Sequence, residues 1–206
     1  MHLFKSSNIF SNVSVMKMVK VMKVGNISQR ALMRTALTIL GIILILTSLG
    51  YKAYNSRILS FYLAPKVSVA VIRTADMPVS IAMPARYIKL DITPAYINSD
   101  GVWETSKDTA SFLMQSSVPG KKGNTVIYGH NKASLMGNIR NAMIGDKIFL
   151  KSTNGTVRTY VVKNKLTVSP STVSVVEHTP TETLTLFTCT GFADMQRFVV
   201  QAYPIR

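Results

Sequence analysis

Residues 35–51 read TALTILGIILILTSLGY, 17 positions without a charge between Arg34 and Lys52. A helix crossing the ~30 Å hydrocarbon core of a bilayer needs about 20 mostly apolar residues, and ~17 is near the lower limit. Ala31, Leu32 and Met33 extend the run by a turn when Arg34 snorkels to the headgroups. Tyr51 and Tyr54 then stand at the interfacial level that aromatics favour. Leu, Ile and Thr fall on every face of this helix, which argues against a buried helix of a soluble domain. The closer rival is a cleaved signal peptide, whose apolar region runs only ~7–15 residues before a small-x-small site. Ser48-Leu49-Gly50 matches that site weakly, and the lead before residue 35 is long for a signal. The expectation is an uncleaved transmembrane signal anchor over residues 31–54.

The distribution of charge supports a membrane protein rather than a nucleic-acid binder. The formal net charge is +15, yet residues 1–75 hold ten Lys and Arg and no acid, while residues 76–206 hold fourteen and nine. Most of the excess therefore flanks the apolar run. Lys17, Lys20, Lys23, Arg30 and Arg34 precede the run within 20 residues, against Lys52, Arg57 and Lys66 after it. That bias puts the basic segment 1–30 in the cytoplasm and the remainder outside the cell. Residues 55–79 read as an extracellular stalk, leaving residues 80–206 as one domain large enough for a buried core. One Cys and three His exclude a disulfide framework and a Cys- or His-based metal cage.

In that last domain, turn signals such as Pro84, Pro94, Asp100-Gly101, Pro119-Gly120 and Asn154-Gly155 punctuate short β-rich runs. The runs are ARYIKLD (85–91), AYIN (95–98), NTVIYGH (124–130), DKIFLK (146–151), TVRTYVVKNKLTV (156–168), TLTLFTC (183–189) and RFVVQAY (197–203). Asn154-Gly155 between two runs is a hairpin signal. Helical patterns are short, at 109–115 and 134–143. Seven or eight strands in this length predict a closed barrel or a sandwich.

Three residues stand out by position. Cys189 closes TLTLFTC, Arg197 opens RFVVQAY, and His130 closes NTVIYGH. If the two C-terminal runs form a hairpin, Cys189 and Arg197 face each other at its mouth. A thiol attacks as thiolate, and only a few per cent of a free Cys is ionised at pH 7. A nearby guanidinium lowers that pKa and can hold an oxyanion. Imidazole can protonate a leaving amine and deprotonate an incoming one. Pairing lowers the thiol pKa while burial raises it and lowers that of His130, and burial in a groove with Tyr128 and Phe187 should offset much of the pairing. Together these residues suffice for acyl transfer through a thioester. Taken singly, each has a plainer reading: a small buried hydrophobe, a structural strand His, a surface charge.

The motif Thr185-Leu186-Phe187-Thr188-Cys189, with Arg197 soon after it and VIYGHN upstream, closely resembles the signatures of sortases, membrane-anchored bacterial cysteine transpeptidases. His130, 59 positions before Cys189, fits the family's order of His, Cys and Arg. The resemblance implies an all-β fold, a closed barrel of about eight strands with short helices, preceded by one transmembrane helix. It implies Cys189, His130 and Arg197 as catalytic residues, with Thr188 shaping the substrate or oxyanion site. The implied substrates are proteins carrying a C-terminal sorting motif of the LPxTG type. The implied acceptor is an amine of a peptidoglycan precursor or a pilin lysine. Asp91, Asp100, Glu104 and Asp108 are scattered, so no metal or other cofactor is expected.

Two other functions compete. A membrane-anchored cysteine peptidase or hydrolase would use the same nucleophile, but papain-like enzymes place Cys before His and on a helix. A chymotrypsin-like cysteine peptidase needs two barrels. The non-enzymatic alternative is an anchored β-domain that binds a surface partner with Cys189 merely buried, in which case the thiol would resist alkylation.

Overall fold

The computed structural model describes residues 29–56, 59–61 and 76–205. Nearly all of the basic segment 1–30 and most of the stalk expected over 55–79 lie outside the described residues.

α1 spans Gln29–Ser56, and its stretch Gln29–Tyr51 is long and apolar enough to cross a membrane. Two of its hydroxyls turn back onto the helix's own carbonyls, Thr35 Oγ1 donating to Ala31 O at 2.9 Å and Thr38 Oγ1 to Thr35 O at 2.8 Å. Such back-bonding satisfies polar groups where hydrocarbon offers no water. The large side chains Leu37, Ile42, Leu44, Ile45 and Leu46 are all exposed.

Eight strands follow: β1 Pro78–Met83, β2 Ile88–Ala95, β3 Ala110–Leu113, β4 Gly123–Tyr128, β5 Lys147–Ser152, β6 Val157–Val168, β7 Glu182–Thr190 and β8 Gln196–Pro204. They close into a barrel in the order β1-β2-β3-β4-β7-β8-β6-β5, with β5 pairing back to β1. Two pairs are parallel, β2 with β3 and β4 with β7; the others are antiparallel. The β5–β6 connection is the tight turn expected at Asn154-Gly155, where Gly155 takes φ +83° at no steric cost. Ile81, Met83, Phe112, Ile127, Leu184, Leu186 and Val200 fill the barrel.

A second apolar cluster lies on the outer face of β4 and β7. Val126, Tyr128, Phe187 and Cys189 pack there with Trp103 from the β2–β3 connection and Val175 and Val176 from the β6–β7 connection. The pair β4–β7 is thus buried on both faces, which is why NTVIY and TLTLF read as nearly unbroken runs rather than alternating ones.

Double burial also explains where the pattern misled. The helix expected over 109–115 is strand β3, all four of whose residues are buried. Ala110, Leu113 and Met114 mimic helical spacing only because both faces of the strand are apolar. The run 95–98 forms a single bridge, Ile97 to Trp103, instead of a strand. The helix expected over 134–143 shortens to a 3-10 turn, Met136–Asn141. β1 begins at Pro78, within the segment read as stalk.

Candidate active site

The β7–β8 hairpin sets Cys189 directly opposite Arg197 and Thr190 opposite Gln196. Alternation sends Thr183, Thr185, Phe187 and Cys189 to the outer face, and Leu184, Leu186 and Thr188 the other way. The parallel β4–β7 pairing puts Tyr128 beside Phe187, and Gly129 N donates to Phe187 O at 3.4 Å. Two residues further on, half-buried His130 therefore flanks Cys189. The structure brings His130, Cys189 and Arg197 to one end of one groove.

Thr188 lies on the opposite face of β7 from Cys189. Its hydroxyl donates to Gly129 O at 2.8 Å, on the side of the strand away from Cys189. The bond ties the end of β7 to the residue that precedes His130.

The groove floor is β4 and β7. One wall is the β6–β7 connection, clamped by Asn124 Nδ2 donating to Val175 O and Glu177 O, both at 3.1 Å. The other wall is Trp103. Its ring meets those of Tyr128 and Phe187 edge-on at 5.4 and 5.7 Å, while Tyr128 stacks on Phe187 at 5.0 Å. Each such pair adds about 0.5–1.5 kcal/mol beyond its burial.

Leu59, Ser60 and Phe61 occupy this groove, all buried. Phe61 sets its edge on Phe187 at 5.1 Å and touches Trp103 at 5.7 Å. Ser60 Oγ accepts from Trp103 N at 3.0 Å, and Ser60 O accepts from Arg197 Nη2 at 2.9 Å. Arg197 also donates from Nη1 to Asp194 O at 2.8 Å and Gln196 O at 3.0 Å. A guanidinium only 2% exposed is thus held by backbone carbonyls, one of them supplied by the inserted segment. Nothing in the sequence pattern marked residues 59–61, because LSF reads as stalk until its partners are known. Asp194 was also missed; it sits within electrostatic range of both Cys189 and His130.

Burial governs protonation here. It pushes the Cys189 thiol up to about 12, against the opposing pull of Arg197 and with help from Asp194. It lowers His130, with Lys132 adding to the effect and Asp194 opposing it. Both shifts favour the neutral forms of the thiol and the imidazole. Opening the groove should therefore activate the thiol. Phe61→Ala is expected to speed alkylation of Cys189 by iodoacetamide at pH 8 by on the order of tenfold, the order of effect set by a buried aromatic side chain. An unchanged rate would show that the segment does not shield the thiol.

The same shifts set a stability window. A group whose pKa is raised by folding stabilises the fold fully below its unfolded value, and the effect is lost as pH rises. For Cys189 the loss begins near ~8.5. Tyr128 and Tyr160 are raised too, both chiefly by burial, and act with the same sign at higher pH. His130, lowered by folding, stabilises above ~6.5 and loses this as pH falls. Asp146, held down by its hydrogen bond from Arg86, adds a further loss below ~4. The thermal midpoint should be nearly flat from about pH 6.5 to 8.5 and drop on either side. Cys189→Ala should soften the alkaline limb first, and a limb that does not move would remove the thiol as its cause.

The site can be compared with known proteins. The family model described as Sortase domain matches residues 81–205. Sortase A from Corynebacterium diphtheriae superposes with a TM-score of 0.54 at 25% identity, covering 62% of this chain and 60% of that one. The chain thus spans less than two thirds of that protein's length. Sortase A from Listeria monocytogenes gives 0.52 at 26% identity, covering 64% of this chain and 88% of that one. Sortase C from Clostridium perfringens, solved with the C-terminal cell wall sorting motif, gives 0.53 at 22%, covering 66% and 74%. None of the curated proteins matches the chain in sequence.

Proposed function

The chain belongs to the sortase family, and on that premise we propose that it is a membrane-anchored cysteine transpeptidase acting on proteins with an LPxTG-like sorting motif. The observation that carries the reading is the placement of Cys189 opposite Arg197, with His130 at the adjoining strand end. The Cys189 Sγ attacks the scissile carbonyl carbon; a C–S bond forms and the C–N bond breaks. His130 takes the thiol proton as Sγ attacks and gives it to the departing amine. An incoming amine, from a peptidoglycan precursor or a pilin lysine, then attacks the thioester; a new C–N bond forms, the C–S bond breaks, and the proton lost by the amine passes through His130 back to Sγ. Arg197 steadies the oxyanion and the bound peptide through its planar donors. Thr188 is a positioning residue that acts through the Gly129 carbonyl. The C. perfringens sortase C, solved with the C-terminal cell wall sorting motif, supports the substrate class. α1 serves as the anchor, with the N-terminus in the cytoplasm and the barrel outside the cell.

Burial of Cys189 is the one observation that favours a non-catalytic β-domain. The cover over the groove is in part residues 59–61, which join the barrel through side-chain packing and the hydrogen bonds of Ser60. A covered nucleophile therefore accounts equally well for the burial. The deciding experiment incubates the full-length protein with sorting-motif peptides and amines and reads masses. A peptide–thioester adduct on Cys189 and an amine-transfer product support the proposal. Hydrolysis alone would make it a peptidase, and no adduct with any peptide would favour the binding domain.

A further inference from the structure

Far from Cys189, the apolar side chains in the open, Tyr96, Val157 and Ile205, are about half exposed, and the turns at Asn154-Gly155 and Lys121-Lys122 are polar. At the end that holds Cys189, turn tips carry large apolar side chains in the open. Tyr87, after the β1–β2 turn, is 93% exposed; Met143 and Ile144, just before β5, are 60% and 67% exposed; Phe192, in the β7–β8 turn, is 91% exposed. The register puts them at one end. β1 and β2 meet at Met83 and Ile88, β5 starts beside that hairpin, and β7 reaches Cys189 running parallel to β4, whose partner β3 runs back alongside β2.

Two of these tips are fastened together. Arg86 donates to both carboxylate oxygens of Asp146, at 2.6 and 3.2 Å, and Asp146 also accepts from Met143 N at 2.8 Å. The ion pair thus ties the turn that carries Tyr87 to the one that carries Met143 and Ile144, a knob of three apolar tips. Tyr87 holds φ +55°, an unusual conformation for a bulky side chain, and faces solvent. Water gives no reason to keep three such side chains on turn tips, where polar residues suit better.

The surroundings of the knob are cationic. Lys89, Arg140, Lys147 and Lys165 are exposed around it, and Lys165 Nζ donates to Ala142 O at 2.8 Å, one residue from Met143. The acids at this end are Asp146, already paired to Arg86, Asp91, Asp108 before β3, and Asp194 in the β7–β8 turn. Apolar and aromatic tips ringed by Lys and Arg are the composition of an interfacial lipid-binding surface. The same chain carries α1, so a bilayer is the surface it would meet.

We propose that the end of the barrel that holds Cys189 docks onto an anionic lipid surface, Tyr87, Met143 and Ile144 entering the headgroup layer and the surrounding cations pairing with lipid phosphates. This contact is independent of the reaction assigned above and survives if that assignment fails.

The test uses the full-length Cys189→Ala protein in nanodiscs, with a nitroxide on Ile144→Cys or, as a control at the far end, on Lys122→Cys. The expected result is that the label at 144 gains collisions with oxygen and loses those with a water-soluble nickel chelate in phosphatidylglycerol discs. In phosphatidylcholine discs this change should be largely absent. The label at 122 should stay in water in both. Arg140→Glu with Lys147→Glu should restore chelate access at 144, since each cation near such a surface contributes roughly a fivefold change in partitioning. A label at 144 that remains as wet as that at 122 in anionic discs would overturn the proposal. So would equal shielding in phosphatidylcholine discs, because the contact would then owe nothing to lipid charge.

Discussion

Replacing Cys189 with alanine is expected to reduce turnover of a sorting peptide to background, a loss on the order of 10⁴-fold or more. No other thiol exists in the chain to take over the attack, and removal of a covalent nucleophile has effects of at least this order. The fold should survive. The substitution deletes one buried sulfur from the outer cluster, a change worth about 1–2 kcal/mol of packing. It also removes a group whose ionised form the site disfavours. Circular dichroism would confirm folding, and mass spectrometry would follow the peptide. Substantial turnover by folded Cys189→Ala protein would remove the thioester route.

Arg197→Lys is the second large expected effect. The arginine spans three acceptors, Asp194 O, Gln196 O and Ser60 O, with two nitrogens of one planar group. Lysine keeps the charge but places it on a single nitrogen, which cannot span the same arc. The expected loss is on the order of 10²-fold, comparable with removal of one oxyanion donor. It should fall mainly on kcat, because the oxyanion exists only during reaction, with a smaller rise in KM from the bound peptide. Near-UV circular dichroism separates this from a rearranged β7–β8 turn. A near-normal Arg197→Lys enzyme would mean that charge alone suffices and that the planar fork has no part in the rate.

Several features were open to reading in the chain itself. The run over residues 35–51 needed no partner to be recognised, because a helix that satisfies its own backbone is what an apolar stretch of this length forms in lipid. The Asn154-Gly155 turn is equally local, since the left-handed backbone it needs is a property of those two residues. Cys189 opposite Arg197 followed from strand alternation across one short loop. What escaped reading depended on distant contacts. β3 looked helical because both its faces are buried, and its second face is covered by residues far away in sequence. The segment Leu59–Phe61 gave no signal, since its meaning rests on Trp103, Phe187 and Arg197, residues 40 or more positions away.

By itself, then, the sequence determined the long apolar helix, the β character, the strand-end positions of His130, Cys189 and Arg197, and the family resemblance. These are matters of composition, period and short-range order. Tertiary structure alone decided that Thr188 turns its hydroxyl to Gly129 rather than to the groove, that Ser60 supplies a carbonyl to Arg197, and that burial outweighs the guanidinium in setting the Cys189 thiol. The physical reason is that desolvation and hydrogen-bond pairing depend on what surrounds an atom in three dimensions, and a closed barrel assembles those surroundings from strands far apart in the chain.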